Sequence, residues 1–161
     1  MNIPNEILIP EVARLVNEGK SVTLPLRGQS MRPYLEDQRD KGLLVKIEKP
    51  LKKGDVILAE TAPKRYALHR IVKIEGDDIT MYGDGNFSPE HIKRSDVLAI
   101  AVGFYRNGST KLDSVDSLSY RIYWRLWVWL RPLRRYLLIA WRLKHYPKET
   151  MEKIINKIKL K

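Results

Sequence analysis

A chain of 161 residues with 43% hydrophobic side chains is long enough for one packed domain with an appendage, and too apolar to stay disordered. It contains no cysteine, which excludes disulfide scaffolds, thiol nucleophiles and thiolate metal sites, and fits a reducing compartment. The formal charge of +11 is unevenly spread: residues 1–118 carry 18 Lys+Arg against 17 Asp+Glu, whereas residues 119–161 carry 12 against 2. Affinity for an anionic partner therefore belongs to the tail alone. His69, His91 and His145 are far apart and show no ligand spacing such as HExxH, so no metal and no cofactor are expected.

The first residues, Met1 to Glu6, lack the basic start and apolar core of a signal peptide. Residues 5–18 place Ile7, Leu8, Val12, Leu15 and Val16 at helical spacing, with Asn5 as an N-cap and Gly19 past the end. Pro10 offers a later start for the same helix. From Ser21 onward the chain becomes β-rich, with strands predicted at 21–26, 42–48, 55–60, 65–75, 78–82 and 96–105. Turn residues separate them at Lys49-Pro50, Lys53-Gly54-Asp55, Gly76-Asp77-Asp78 and Gly83-Asp84-Gly85-Asn86. Many short strands at such intervals predict a mainly β fold: a small, twisted, antiparallel barrel or half-barrel. The expected domain is 1–109, with its β body at 21–106, followed by a polar linker at 110–118.

Residues 119–161 form the expected basic, Trp-rich amphipathic helical tail. Pro132 should split it, and a last short helix should follow Pro147. The longest apolar stretch, roughly Ile122 to Leu143, contains Arg125, Arg131, Arg134, Arg135 and Arg142. At about 2.5–3.5 kcal/mol for each Arg at a bilayer centre, it should not span a membrane. The expected location is the cytoplasm, or its inner membrane face with peripheral contact through 119–146. Such a segment could lie in the membrane interface, pack on the β body or a partner, or bind nucleic acid. The broad apolar face of Ile122, Trp124, Leu126, Trp127, Leu130 and Leu133 argues for burial and against nucleic acid.

Four separated pieces can carry chemistry: Gly28-Gln29-Ser30-Met31-Arg32-Pro33, Lys53-Gly54-Asp55-Val56-Ile57, Leu68-His69-Arg70-Ile71-Val72 and Tyr82-Gly83-Asp84-Gly85-Asn86. Singly, each has a plain explanation. Serine is common in turns, Gly-Asp is an ordinary turn, and a histidine in an apolar strand is most often a satisfied half-buried residue. His91 and His145 read as exposed, and Arg27, Arg32, Lys52 and Lys53 as solvated.

Together and in this order, over roughly residues 21–106, the pieces resemble the signal peptidase I and LexA-like serine peptidases. The resemblance makes Ser30 the nucleophile. The general base of that clan sits in a later strand before Arg-Val or Arg-Ile, here His69 before Arg70-Ile71, as in the histidine-type signal peptidases. It also implies an aspartate in a Gly-Asp-Asn-like motif, here Asp84 with one extra glycine; Asp96 is the alternative orienter of His69. These roles suit the chemistry. A serine hydroxyl needs a base to become a nucleophile. Imidazole titrates near neutrality, and a carboxylate on its other nitrogen fixes the tautomer.

Two features depart from the signal peptidases. Gly28 stands where a serine usually supports the oxyanion, so that role falls on backbone N–H groups along Gly28, Gln29, Ser30 and Met31. No N-terminal membrane anchor is apparent, and residues 1–20 are too short for a LexA-type helix-turn-helix. The expected activity is a serine endopeptidase that cleaves a peptide or protein precursor through an acyl-enzyme. The resemblance implies an extended substrate with small side chains near the scissile bond. The alternatives are a non-catalytic peptide- or membrane-binding adaptor on the same scaffold, and a LexA-like self-cleaving protein.

Overall fold

The computed structural model describes residues 3–145. Helix α1 (Asn5–Asn17) leads into strands β1 (Val22–Pro25), β2 (Lys41–Val45), β3 (Val56–Ala62), β4 (Arg65–Glu75), β5 (Asp78–Tyr82), β6 (Glu90–Lys93), β7 (Val97–Tyr105) and β8 (Leu112–Ser114). Helices α2 (Leu118–Trp129) and α3 (Arg134–His145) follow, separated by a 3-10 turn at Arg131–Leu133. The break falls at Pro132, which has no N–H to continue the α-helical ladder. The further helix expected after Pro147 lies outside the described residues.

The strands form one antiparallel sheet in the order β1-β2-β7-β3-β4-β5-β6, with β8 added beside β7. The mainly antiparallel β architecture is as expected. The path does not close, so β1 and β6 remain its two ends and the fold is not a closed barrel. Two strands escaped the sequence reading. β6 has only four residues and follows Ser88-Pro89, while β8 has three and lies in the stretch expected to be a linker. Segments this short carry too few alternations to stand out from loops.

Helix α1 begins one residue earlier than an Asn5 cap would place it. Pro4 occupies the N-cap position and no side chain caps the helix, while Pro10 lies inside it on the exposed surface. Pro10 removes only the bond its own N–H would make to Glu6, and Ile9, Val12, Ala13 and Val16 hold the helix down by burial. The end is better specified. Gly19 adopts φ +84°, its N–H donates to the Val16 carbonyl, and the Lys20 N–H donates to the Leu15 carbonyl. That pair of bonds is a Schellman ending, which a residue without Cβ accepts most readily.

β3 is the centre of the sheet, buried on both faces. Val56 and Leu58 join one core with α1, Phe104 and Tyr120, while Ile57 and Ala59 join a second with Ile71, Ile79 and Met81. The alternation follows from the two-residue period of a strand, and it explains the near-continuous apolar run Val56-Ile57-Leu58-Ala59.

Helix α2 starts at Ser117, whose hydroxyl accepts from the Tyr120 N–H at 3.3 Å. It docks through Tyr120 and Trp127, which are 2% and 9% exposed, and through Trp124, which joins the first core. Trp124 occupies the space a side chain at Gly54 would need: a Cβ there would lie 2.5 Å from the indole. The Lys53-Gly54-Asp55 turn is thus the seat of α2. Among the described residues, no helix is long and apolar enough to cross a membrane.

Candidate functional site

The Ser30 turn follows β1, and its backbone is pinned to the loop after β5. The Gly85 N–H donates to the Ser30 carbonyl at 2.6 Å, and Asn86 N–H closes that loop onto the Gly83 carbonyl at 3.0 Å. Met31 and Leu35 anchor the turn in the core. Ser30 is half-buried, and with His69 it lines a cavity of about 290 Å³ whose walls include Leu24, Leu26, Leu58 and Tyr66.

His69 lies in β4 and is 3% exposed. The register Arg70↔Tyr82 and Ile71↔Met81 brings His69 opposite Gly83, and Met81↔Glu90 adds the next strand. Because same-face residues recur every second position, His69, Ile71, Met81, Gly83 and Glu90 share one face. With no side chain at Gly83, the imidazole extends diagonally across β5. Its Nδ1 lies 2.5 Å from a carboxylate oxygen of Glu90 at the start of β6. A Cβ at Gly83 would lie 2.9 Å from His69 Nε2 and 2.5 Å from the Ser30 carbonyl oxygen. The glycine therefore marks the point where His69 Nε2 and the backbone of the Ser30 turn come together.

Neither sequence candidate for orienting His69 does so. Asp84 lies on the opposite face, with Arg70. Arg70 Nε and Nη2 donate to its two carboxylate oxygens at 2.9 and 2.6 Å, in a pair buried to 1% and 2% side-chain exposure. His69 and Arg70 are consecutive on one strand, so they must point to opposite faces, and a residue bonded to one is out of place for the other. Asp96 instead accepts from the Lys93 N–H at 2.7 Å, in the turn between β6 and β7. Glu90 was missed because the short run Glu90-His91-Ile92-Lys93 was not read as a strand. Its exposed–buried alternation about Ile92 was the available signal.

Asp84 is the hub of a network that ties the tail to the site loop. Arg70 also donates to the Gly54 carbonyl at 3.1 Å and to the Tyr120 hydroxyl at 2.9 Å. The Tyr123 hydroxyl donates to Asp84 at 3.3 Å, and Trp127 Nε1 donates to the Asp84 carbonyl at 2.9 Å. Arg134 at the start of α3 donates to the Gly83 carbonyl at 2.6 Å and also bonds the Asn86 carbonyl. Burial opposes the Arg70 charge, but the charge and hydrogen bonds of Asp84 outweigh it and hold the guanidinium more firmly protonated than usual. Burial pushes the Tyr120 phenol up to about 12, against the pull of Arg70.

The backbone amides of the turn that were expected to support an oxyanion are not all free to do so. The Gly28 N–H donates to Asp37 at 2.7 Å and is therefore committed, and the Gln29 carbonyl accepts from Arg32 N–H at 3.2 Å. This leaves Gln29, Ser30 and Met31 as the amides to consider. Arg32 is not solvated: it is 7% exposed, bonds Glu36 through Nε at 2.9 Å, and sits 5.6 Å from the Trp141 ring centre. Arg27, Lys52 and Lys53 are exposed, as is His91, while the side chain of His145 lies outside those described. Among the described residues, no group of three or more His, Cys, Asp or Glu side chains is placed to hold a metal ion. The site thus holds a His69–Glu90 pair beside a turn whose Ser30 lines the same cavity as the imidazole. Neither the protein-family models nor the curated protein sequences contain a match to this chain.

Proposed function

We propose that the protein is a serine endopeptidase of the signal peptidase and LexA-like type, with Ser30 as nucleophile and His69 as general base. The observation that carries this reading is the convergence of the Ser30 turn and His69 Nε2 on Gly83, while His69 Nδ1 is held by Glu90. A carboxylate on Nδ1 directs the imidazole proton to that nitrogen and leaves Nε2 as the acceptor, on the residue that lines the cavity with Ser30.

In the proposed reaction the Ser30 oxygen attacks the scissile carbonyl carbon as its proton passes to His69 Nε2. The tetrahedral oxyanion is stabilised by backbone N–H groups of the turn, drawn from Gln29, Ser30 and Met31. The imidazolium, stabilised by Glu90, then protonates the leaving amine as the C–N bond breaks. Water, deprotonated by His69, attacks the ester carbonyl; collapse releases the acid and returns the proton to Ser30. The substrate is expected to be a peptide or protein precursor bound in extended form. Asp84 has a positioning role, holding the loop that bears Gly83 rather than touching the imidazole.

The test is a peptide-library cleavage assay read by mass spectrometry, together with covalent labelling by a serine-reactive probe. Cleavage and labelling that disappear in both Ser30→Ala and His69→Ala support the reading. A folded protein with neither activity supports the adaptor alternative. A shortened chain that accumulates with time and requires Ser30 indicates self-cleavage.

A further inference from the structure

Helix α2 is apolar on two sides, and only one of them packs on the sheet. The buried side carries Tyr120, Trp124 and Trp127. On the opposite side, Leu118, Ile122, Leu126 and Trp129 are 72%, 50%, 53% and 75% exposed, and Leu133 in the following turn is 54% exposed. At about 100° per residue, the first four fall within a stripe roughly 80° wide and face away from the Tyr120–Trp127 side. An exposed apolar stripe of this regularity, which includes a largely exposed tryptophan, marks an interaction surface rather than scattered surface hydrophobics.

Charge identifies the partner. Arg121 and Arg125, both exposed, run along one edge of the stripe. Beside them lies a cleft of about 600 Å³ between α2 and the β2–β3 connection, lined by these two arginines and by Lys46, Lys49, Lys52 and Lys53, against three carboxylates. The chain as a whole carries +11, so a second copy brought face to face would set like charges against each other. Leu and Ile dominate the stripe, which suits acyl chains better than the stacked bases of a nucleic acid.

We propose that this face docks on an anionic lipid bilayer. The stripe Leu118–Ile122–Leu126–Trp129 would lie in the interface, with the lysines and arginines of the adjoining cleft against the lipid phosphates. The Trp129 ring sits at the depth where indoles are favoured, between headgroups and acyl chains. The helix lies in the membrane plane rather than crossing it. This inference is independent of the peptidase reading, since it concerns a different surface and a different readout.

Co-sedimentation of the full chain with vesicles tests it, comparing phosphatidylglycerol/phosphatidylcholine mixtures with phosphatidylcholine alone. The expected result is at least tenfold stronger binding to the anionic vesicles, with a blue shift in tryptophan fluorescence. Leu126→Asp/Trp129→Asp should lose at least tenfold in binding while keeping the circular dichroism spectrum and melting temperature, because both side chains point to solvent. Arg121→Glu/Arg125→Glu should lose the preference for anionic lipid. No vesicle binding, binding unchanged in the Leu126/Trp129 variant, or equal binding to both vesicle types overturns the proposal. A concentration-dependent dimer that is broken by the Leu126/Trp129 variant, without vesicle binding, assigns the face to a second copy instead.

Discussion

His69 Nδ1 lies 2.5 Å from the Glu90 carboxylate across β5, and its Nε2 lies 2.9 Å from where a Cβ at Gly83 would stand.

Glu90→Gln keeps the size of the side chain and removes its charge. The imidazolium then loses its stabilising partner, and the fixed tautomer with it. Peptide cleavage should fall roughly 10²-fold in kcat with little change in KM, and Glu90→Asp should recover part of the loss. Glu90 is a third exposed on its side chain, so the melting temperature should move little. Steady-state kinetics of the three proteins, with thermal melts alongside, make the comparison; wild-type kcat in Glu90→Gln would remove Glu90 from the site.

Gly83→Ala places a methyl group 2.5 Å from the Ser30 carbonyl and 2.9 Å from His69 Nε2. Both neighbours must shift. A stability loss of about 1–3 kcal/mol is expected from overpacking, together with loss of cleavage well beyond what that destabilisation accounts for. Urea unfolding and the cleavage assay at a temperature where the variant remains folded separate the two effects.

The buried Arg70–Asp84 pair gives a prediction about stability. Removing one partner leaves the other charge buried without compensation, so Asp84→Asn or Arg70→Met should each cost about 3–5 kcal/mol. The double variant Arg70→Met/Asp84→Asn should lose far less than the sum, because neither charge is then stranded. Denaturant midpoints for the four proteins complete the cycle, and simple additivity would show that the pair is not coupled.

Asp40 supplies the acid dependence. Burial raises the pKa of this fully buried carboxyl, but hydrogen bonds from Arg39 and from the Glu36 and Asn107 amides lower it further, leaving it below its ordinary value. A depressed folded pKa stabilises the fold above the unfolded value of about 4, and the contribution is lost as pH falls through the folded value. Asp40→Asn should therefore destabilise the protein at pH 7 by about 1–3 kcal/mol, and the gap to wild type should narrow below pH 4. Melting temperatures measured from pH 7 down to pH 3 test the sign.

The sequence alone was enough to predict antiparallel β structure, because its strands are long enough for alternation to show and its turns are marked by Gly, Asp and Pro. β4 and β5 match the expected bounds residue for residue, and Pro132 breaks the tail helix where its missing N–H requires. It also singled out Ser30 and His69, which line one cavity, and Asp84, which pairs with Arg70 instead of His69. What it left open was pairing. Whether a carboxylate reaches His69 depends on which strand lies beside β5 and in what register, and neither is encoded within one segment. Tertiary structure placed Asp84 on the Arg70 face and brought Glu90 across from β6. It also divided the tail's apolar face in two, because one helix can press only one side against a sheet. Tyr120 and Trp127 took that side, leaving Ile122, Leu126 and Trp129 facing out.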